Sequence, residues 1–176
     1  PVNNLEIFKN QLPEIFDYNL DFNNAGSLEA QISSLSDDIA YNCHDIDDGL
    51  RAKLFSKKDL FDLKIIKELF HSNQNIDTKG IVRNLLNYLV TDLIETSLEG
   101  IRNNNIDSIS DVYKKKDNII NFSKGINMGL NEIREFLKDK MYNHSSIKNW
   151  NLKSEEIIVK LYNHFKKNYK IIPNTN

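Results

Sequence analysis

Between Asp37 and Asp48 the chain carries five aspartates, at 37, 38, 45, 47 and 48, with Tyr41 and His44 among them. Carboxylates, a phenol and an imidazole can ligate a divalent metal, accept hydrogen bonds from substrate hydroxyls, or carry protons. Asp37, Tyr41 and Asp45 follow one another at four-residue spacing. If the segment is helical, their side chains line one flank. Like charges at such spacing are mildly unfavourable unless a cation or a donor lies nearby, and aspartate is a poor helix former. A solvated helix face is the bland alternative and remains open at this point. A calcium loop is not: in Asp45-Ile46-Asp47-Asp48-Gly49 the third acidic position falls on Gly49, and Ser56 stands where the bidentate glutamate belongs.

The elements that must position these residues are read from periodicity. Ser27 is a suitable N-cap for a long helix with Leu28, Ile32, Leu35, Ile39, Cys43, Ile46 and Leu50 on one stripe. Gly49 marks its end or a weak point within it. Asp37, Tyr41, His44 and Asp48 fall on the opposite side, with Asp45 a little round from them. Ser56-Lys57-Lys58-Asp59 predicts a capping box ahead of Leu60, Leu63, Ile66 and Phe70. After a break at 72–75, Asp77 or Thr78 caps a helix carrying Ile81, Leu85, Leu89, Leu93 and Ile101, and Asn103 to Asn105 form a loop. A short helix is expected near Asp111 to Ile120. Ser123 opens another, with Ile126, Leu130, Ile133, Leu137 and Met141 inward. A last helix runs from about Ser154 to Tyr169 with Ile158, Leu161 and Phe165 inward, closed by Pro173. An opening segment, Leu5 to Phe16, is interrupted by Pro13. No stretch alternates, so the predicted fold class is all-α, a single helical region over residues 1–176 with short connections.

Composition bounds the function classes. With 23 Lys+Arg against 25 Asp+Glu and a net charge of -2, the chain has no bulk charge for nucleic acid. Every apolar run is short of the ~18 residues a membrane span needs. One cysteine, Cys43, allows no internal disulfide and gives secretion no support, so a cytoplasmic location is expected. The 25 Asn are scattered rather than in tracts, a compositional drift rather than a low-complexity signal.

The block from Ser27-Leu28-Glu29-Ala30-Gln31-Ile32 through Asp37-Asp38-Ile39-Ala40-Tyr41-Asn42-Cys43-His44-Asp45-Ile46-Asp47-Asp48-Gly49-Leu50-Arg51-Ala52 resembles the deoxyguanosine triphosphate triphosphohydrolases of the HD superfamily of metal phosphohydrolases. Val82 to Ile94 is similar to the next helix of that family. Leu137-Lys138-Asp139-Lys140-Met141-Tyr142-Asn143-His144 is similar to its "FL…MY.H" segment, with Asn143 where Arg is usual. The start, Pro1-Val2, is similar to the point just after the family's "HNGP" turn. The resemblance therefore spans nearly the whole chain, as the C-terminal part of a longer protein.

What the resemblance implies is a helical HD-domain-type bundle that hydrolyses a deoxynucleoside triphosphate to nucleoside and triphosphate with a divalent cation (Mg, Mn or similar). Asp37 matches the last metal ligand, and Tyr41 and Asp45 match the residues that meet the sugar. The other ligands, His and His-Asp, and the catalytic residues lie upstream in the family. The expectation is therefore that residues 1–176 alone bind no metal and are inactive, needing a missing N-terminal half or a homo-oligomer as partner. The alternative is a non-catalytic helical module or a decayed remnant. Asp38 departs from the animal branch, where a phosphate-contacting lysine stands, so phosphate contacts must come from elsewhere. His44-Asp45 spells the superfamily signature without being it, because adjacent helical residues diverge by ~100°. On the same reading, Tyr41 and neighbouring apolar residues should be exposed or covered by self-association.

Overall fold

A computed structural model describes residues 24–71 and 75–168. Among them the order is α1 (Leu28–Arg51), α2 (Lys57–Leu60), α3 (Lys64–Leu69), α4 (Thr78–Asn103), α5 (Ile109–Tyr113), α6 (Lys124–Leu137), a π-helical turn (Lys138–Tyr142) and α7 (Ser145–Lys167). No strand occurs among the described residues, and the fold is all-α. The opening segment 5–16, the break at 72–74 and the Pro173 stop lie outside them.

Helix ends follow the side chains that can satisfy free backbone N–H groups. The hydroxyl of Ser27 accepts from Ala30 N, and that of Ser123 from Ile126 N. Asp77, rather than Thr78, caps α4 by accepting from Gly80 N. Both arms of the Ser56–Asp59 capping box form. α3 has no cap of its own; instead the Glu132 carboxylate on α6 accepts from Lys64 N at 3.0 and 2.9 Å.

The core is built by α1, α4 and α6, with α3 packed on α4 and α6. Ile39, Cys43 and Ile46 meet Ile81, Leu85, Leu89 and Leu93, with Ile126, Leu130, Ile133 and Leu137 on the remaining side. This apolar seam fixes the rotation of α1 and so determines which way the aspartate flank points. Gly49 lies inside the helix and is buried. A Cβ there would collide with the Phe55 ring, so the glycine serves close packing rather than termination.

Four expectations are revised. Ile32 belongs to the sequence stripe but is 46% exposed, because α4 leaves that end of α1 uncovered. The expected helix near Asp111 to Ile120 is the five-residue α5. The chain beyond it is irregular, since Gln31 supplies its hydrogen bonds: Oε1 accepts from Ile119 N at 2.8 Å and Ile120 N at 3.0 Å. After Leu137 the ladder widens into the π turn, which takes Met141 out of the α6 register and leaves it half-buried. The last helix starts nine residues earlier than expected, at Ser145, and Ile158, Leu161 and Phe165 are exposed, not inward. Amphipathic spacing names the face that would gain from burial; it does not supply a neighbour.

Candidate functional site

The buried seam turns Asp37, Tyr41 and Asp45 outward on one flank of α1. Asp37 and Tyr41 are exposed, Tyr41 at 57%, and Asp45 is half-buried. α6 runs alongside this flank, and its extension through the π turn brings two more side chains to it. Arg134 donates to the Asp38 carboxylate and, through Nη1, to Asn131 Oδ1 at 2.7 Å. The Tyr142 hydroxyl donates to Asp45. Asn42, only 1% exposed, steadies the arrangement from below: its amide donates to Asp38 O at 2.7 Å and to Asp38 Oδ1 at 3.2 Å.

Burial pushes the Tyr142 phenol well above its usual range, and hydrogen bonding to Asp45 and Tyr41 pushes it further. Tyr142 therefore stays a neutral donor throughout physiological pH. Held by that donor, the Asp45 carboxylate keeps free lone pairs for a second hydroxyl, beside the exposed ring of Tyr41. One wall thus combines a fixed acceptor, a protonated phenol and an aromatic surface, which suits a hydroxylated ring such as a sugar.

The structure brings Tyr41 and Asp45 together and leaves Asp37 one helical turn away. Asp37 forms no ion pair or side-chain hydrogen bond among the described residues. No group of three or more His, Cys, Asp or Glu side chains able to hold a metal assembles among the described residues. They do not fit a complete metal centre, and Asp37 is a single candidate ligand. His44 is exposed and diverges from Asp45. Cys43, on the buried stripe, is 2% exposed, and burial pushes its thiol up to about 11.

Sequence reasoning missed Arg134, Asn42 and the role of Tyr142. For Arg134 the available signal was Asp38, a carboxylate next to the apolar stripe that calls for a cation. For Tyr142 it was the quoted string around it, whose tyrosine had no partner assigned. Neither signal named the partner, because the contacts join residues 96 and 97 apart in sequence.

These features meet two findings from comparison with known proteins. The Phosphohydrolase-associated domain family matches residues 120–175, from the entry to α6 to beyond α7. That C-terminal segment is therefore similar to a phosphohydrolase-associated domain. A deoxyguanosinetriphosphate triphosphohydrolase-like protein of Pelagibacter ubique is 40% identical over 166 residues, 90% of this chain and 43% of the relative. Relatives described in the same words from Bartonella tribocorum and Leptospira interrogans are 32% and 31% identical, over 83% and 86% of this chain and 38% and 43% of their own lengths. The chain is a member of the deoxyguanosinetriphosphate triphosphohydrolase-like family and spans about two-fifths of the length of the curated relatives it matches. No helix among the described residues is long and apolar enough to cross a membrane.

Proposed function

We propose that this chain forms the sugar-facing wall of a cytoplasmic deoxynucleoside triphosphate triphosphohydrolase and supplies one of its metal ligands, Asp37. In the proposed reaction the oxygen of water bonds to the α-phosphorus. The bond from that phosphorus to the 5′-oxygen breaks, and the oxygen leaves with a proton as the deoxynucleoside, releasing triphosphate. A divalent cation bound by two His and two Asp would polarise the phosphoryl oxygen and acidify the attacking water. The described residues do not assemble that set, and this chain's part is recognition.

The observation that carries the reading is the Tyr41–Tyr142–Asp45 cluster on the exposed flank. Asp45, oriented by Tyr142, accepts from the 3′-hydroxyl of the sugar. The exposed ring of Tyr41 stacks against the position a 2′-hydroxyl would occupy and so favours deoxyribose. Arg134, half-exposed and paired with Asp38, holds a guanidinium beside the position where the animal branch carries its lysine, a group suited to contacting a phosphate.

The test uses this chain joined to an upstream segment carrying His and His-Asp. That protein should release triphosphate from a panel of deoxynucleoside triphosphates, and its Asp37→Ala version should not. Asp45→Asn and Tyr41→Ala should narrow the preference for deoxynucleotides over ribonucleotides by about 10- to 100-fold, the range one substrate contact carries. Strong activity from residues 1–176 alone, or an unchanged sugar preference in both variants, overturns the proposal.

A further inference from the structure

Asp38 stands next to Asp37, yet its carboxylate is engaged at both oxygens. Oδ1 accepts from the Asn42 amide at 3.2 Å, and Oδ2 accepts from Nη2 of Arg134. The same Asn42 nitrogen donates to the Asp38 carbonyl at 2.7 Å. Asn42 is 1% exposed, so Asp38 is steadied from the packed interior. Across the guanidinium, Nη1 of Arg134 donates to Asn131 Oδ1 at 2.7 Å.

A guanidinium presents five N–H donors in a rigid planar fork. Here one hydrogen on each terminal nitrogen is held, by Asp38 on α1 and by Asn131 on α6. Two anchors on two helices fix the plane of the group as well as its place. Three of the five donors remain, on a side chain that is 43% exposed. A lysine ammonium has no such fork and could not be aimed this way.

The position along α1 gives this aim a direction. Asp38 and Asp45 are seven residues apart, two turns or ~10 Å of helix. Arg134 meets the first and Tyr142 the second. A nucleotide whose sugar lies at Tyr41 and Asp45 extends its phosphates toward Asp37 and Arg134. Two roles for Asp38 then differ in sign. As a bare charge it repels a polyphosphate, and its removal tightens binding. As the partner that aims Arg134 it lowers the ordering cost of the contact, and its removal weakens binding. The buried amide behind Asp38 and the second anchor on Arg134 favour the second role.

We propose that Asp38 is a positioning residue: backed by Asn42, it holds Arg134 so that the remaining guanidinium donors meet the triphosphate of the substrate. The identity of that anion rests on the function proposed above, whereas the clamp is a property of this chain.

The test has one arm without catalysis and one with it. In the first, the isotope-labelled full chain is titrated with inorganic triphosphate while the guanidinium signals of Arg134 are followed by NMR. Circular dichroism verifies that each variant folds. The unmodified chain should show separate, slowly exchanging Nη signals that shift on titration. Asp38→Asn offers one oxygen to two donors, so it loses the Asn42 or the Arg134 contact whichever way it points. It should merge the Nη signals and weaken triphosphate binding by ~10-fold or more, although it removes a negative charge. Asn42→Ala should act in the same direction, and Asp38→Glu should recover part of the affinity.

In the second arm, the chain joined to its upstream segment should show a KM for deoxynucleoside triphosphate raised ~10-fold by Asp38→Asn, with kcat changed less than ~3-fold. Arg134→Lys alone should cost about as much as Arg134→Lys with Asp38→Asn, because both remove one contact. Unchanged or tighter triphosphate binding by Asp38→Asn overturns the proposal, and so does an Arg134 that rotates freely in the unmodified chain. An inactive joined protein whose chain still gives the expected titration counts against the reaction and supports the clamp.

Discussion

α1 and α7 are nearly the same length, 24 and 23 residues, and both carry an apolar stripe at helical spacing. Yet α1 has six buried residues, and α7 has none. The difference lies in what meets the stripe. α1 is met by α4 and by α6, and at its N-terminal end it receives hydrogen bonds from the irregular chain after α5. α7 is joined to the rest of the fold at the π turn. Periodicity encodes a demand for burial, and only the tertiary fold answers it. The polar flank of α1 gains its order the same way: Arg134 and Tyr142 reach it because α6 is held alongside by its packing against the adjoining apolar stripe.

The comparison breaks most visibly when one large side chain is removed from each helix. Ile46→Ala in α1 empties a fully buried position and should destabilise the fold by about 2–5 kcal/mol in urea titration. Ile158→Ala in α7 removes a side chain that is 64% exposed and should change the stability of dilute single chains by no more than about 0.5 kcal/mol. Equal losses from the two substitutions would mean that α7 has a neighbour within its own chain. A loss from Ile158→Ala that grows with protein concentration would instead locate its neighbour in a second copy.

A smaller effect tests how α1 is fastened at its exposed end. Gln31 is 4% exposed and serves three backbone groups, donating to Gly26 O at 2.7 Å while accepting from Ile119 N and Ile120 N. Gln31→Ala leaves those groups buried without partners and should cost about 1–3 kcal/mol. Hydrogen exchange should then accelerate at Ile119 and Ile120 while the α7 amides stay unchanged. Gly100 belongs to the same fastening: a Cβ there would approach Ile119 O to 2.7 Å, so this glycine lets the irregular chain lie on α4.

The legibility of the molecule divides along the same line. Ser27, Ser56 and Ser123 could be read as caps because a cap is a local event within four residues, and α1, α4 and α6 could be read from their stripes. Asp37, Tyr41 and Asp45 could be placed on one flank because helix geometry alone puts them there. Gln31 and Glu132 could not be read, since each satisfies backbone groups in a distant segment. The π turn was hidden because one extra residue in a helical ladder leaves no compositional mark. That turn delivers Tyr142 to Asp45, so the least legible element completes the site.

An effect seen only at alkaline pH, and absent at neutral pH, concerns the thiol that marks the buried stripe of α1. Burial raises Cys43 from 9.0 to about 11, because the packed interior disfavours the thiolate. The folded state therefore holds its proton more tightly than the unfolded state. The resulting stabilisation is in full force below pH 9 and is lost as pH rises through about 11. Relative to Cys43→Ala, whose stability lacks this dependence, the protein should lose on the order of 2 kcal/mol across that window. At pH 8, iodoacetamide should leave Cys43 unmodified while alkylating Ile157→Cys on α7 in dilute solution. Rapid alkylation of Cys43 would mean that the α1–α4 seam opens on its own, and the contrast between a satisfied stripe and an unsatisfied one would then fail at its best-packed point.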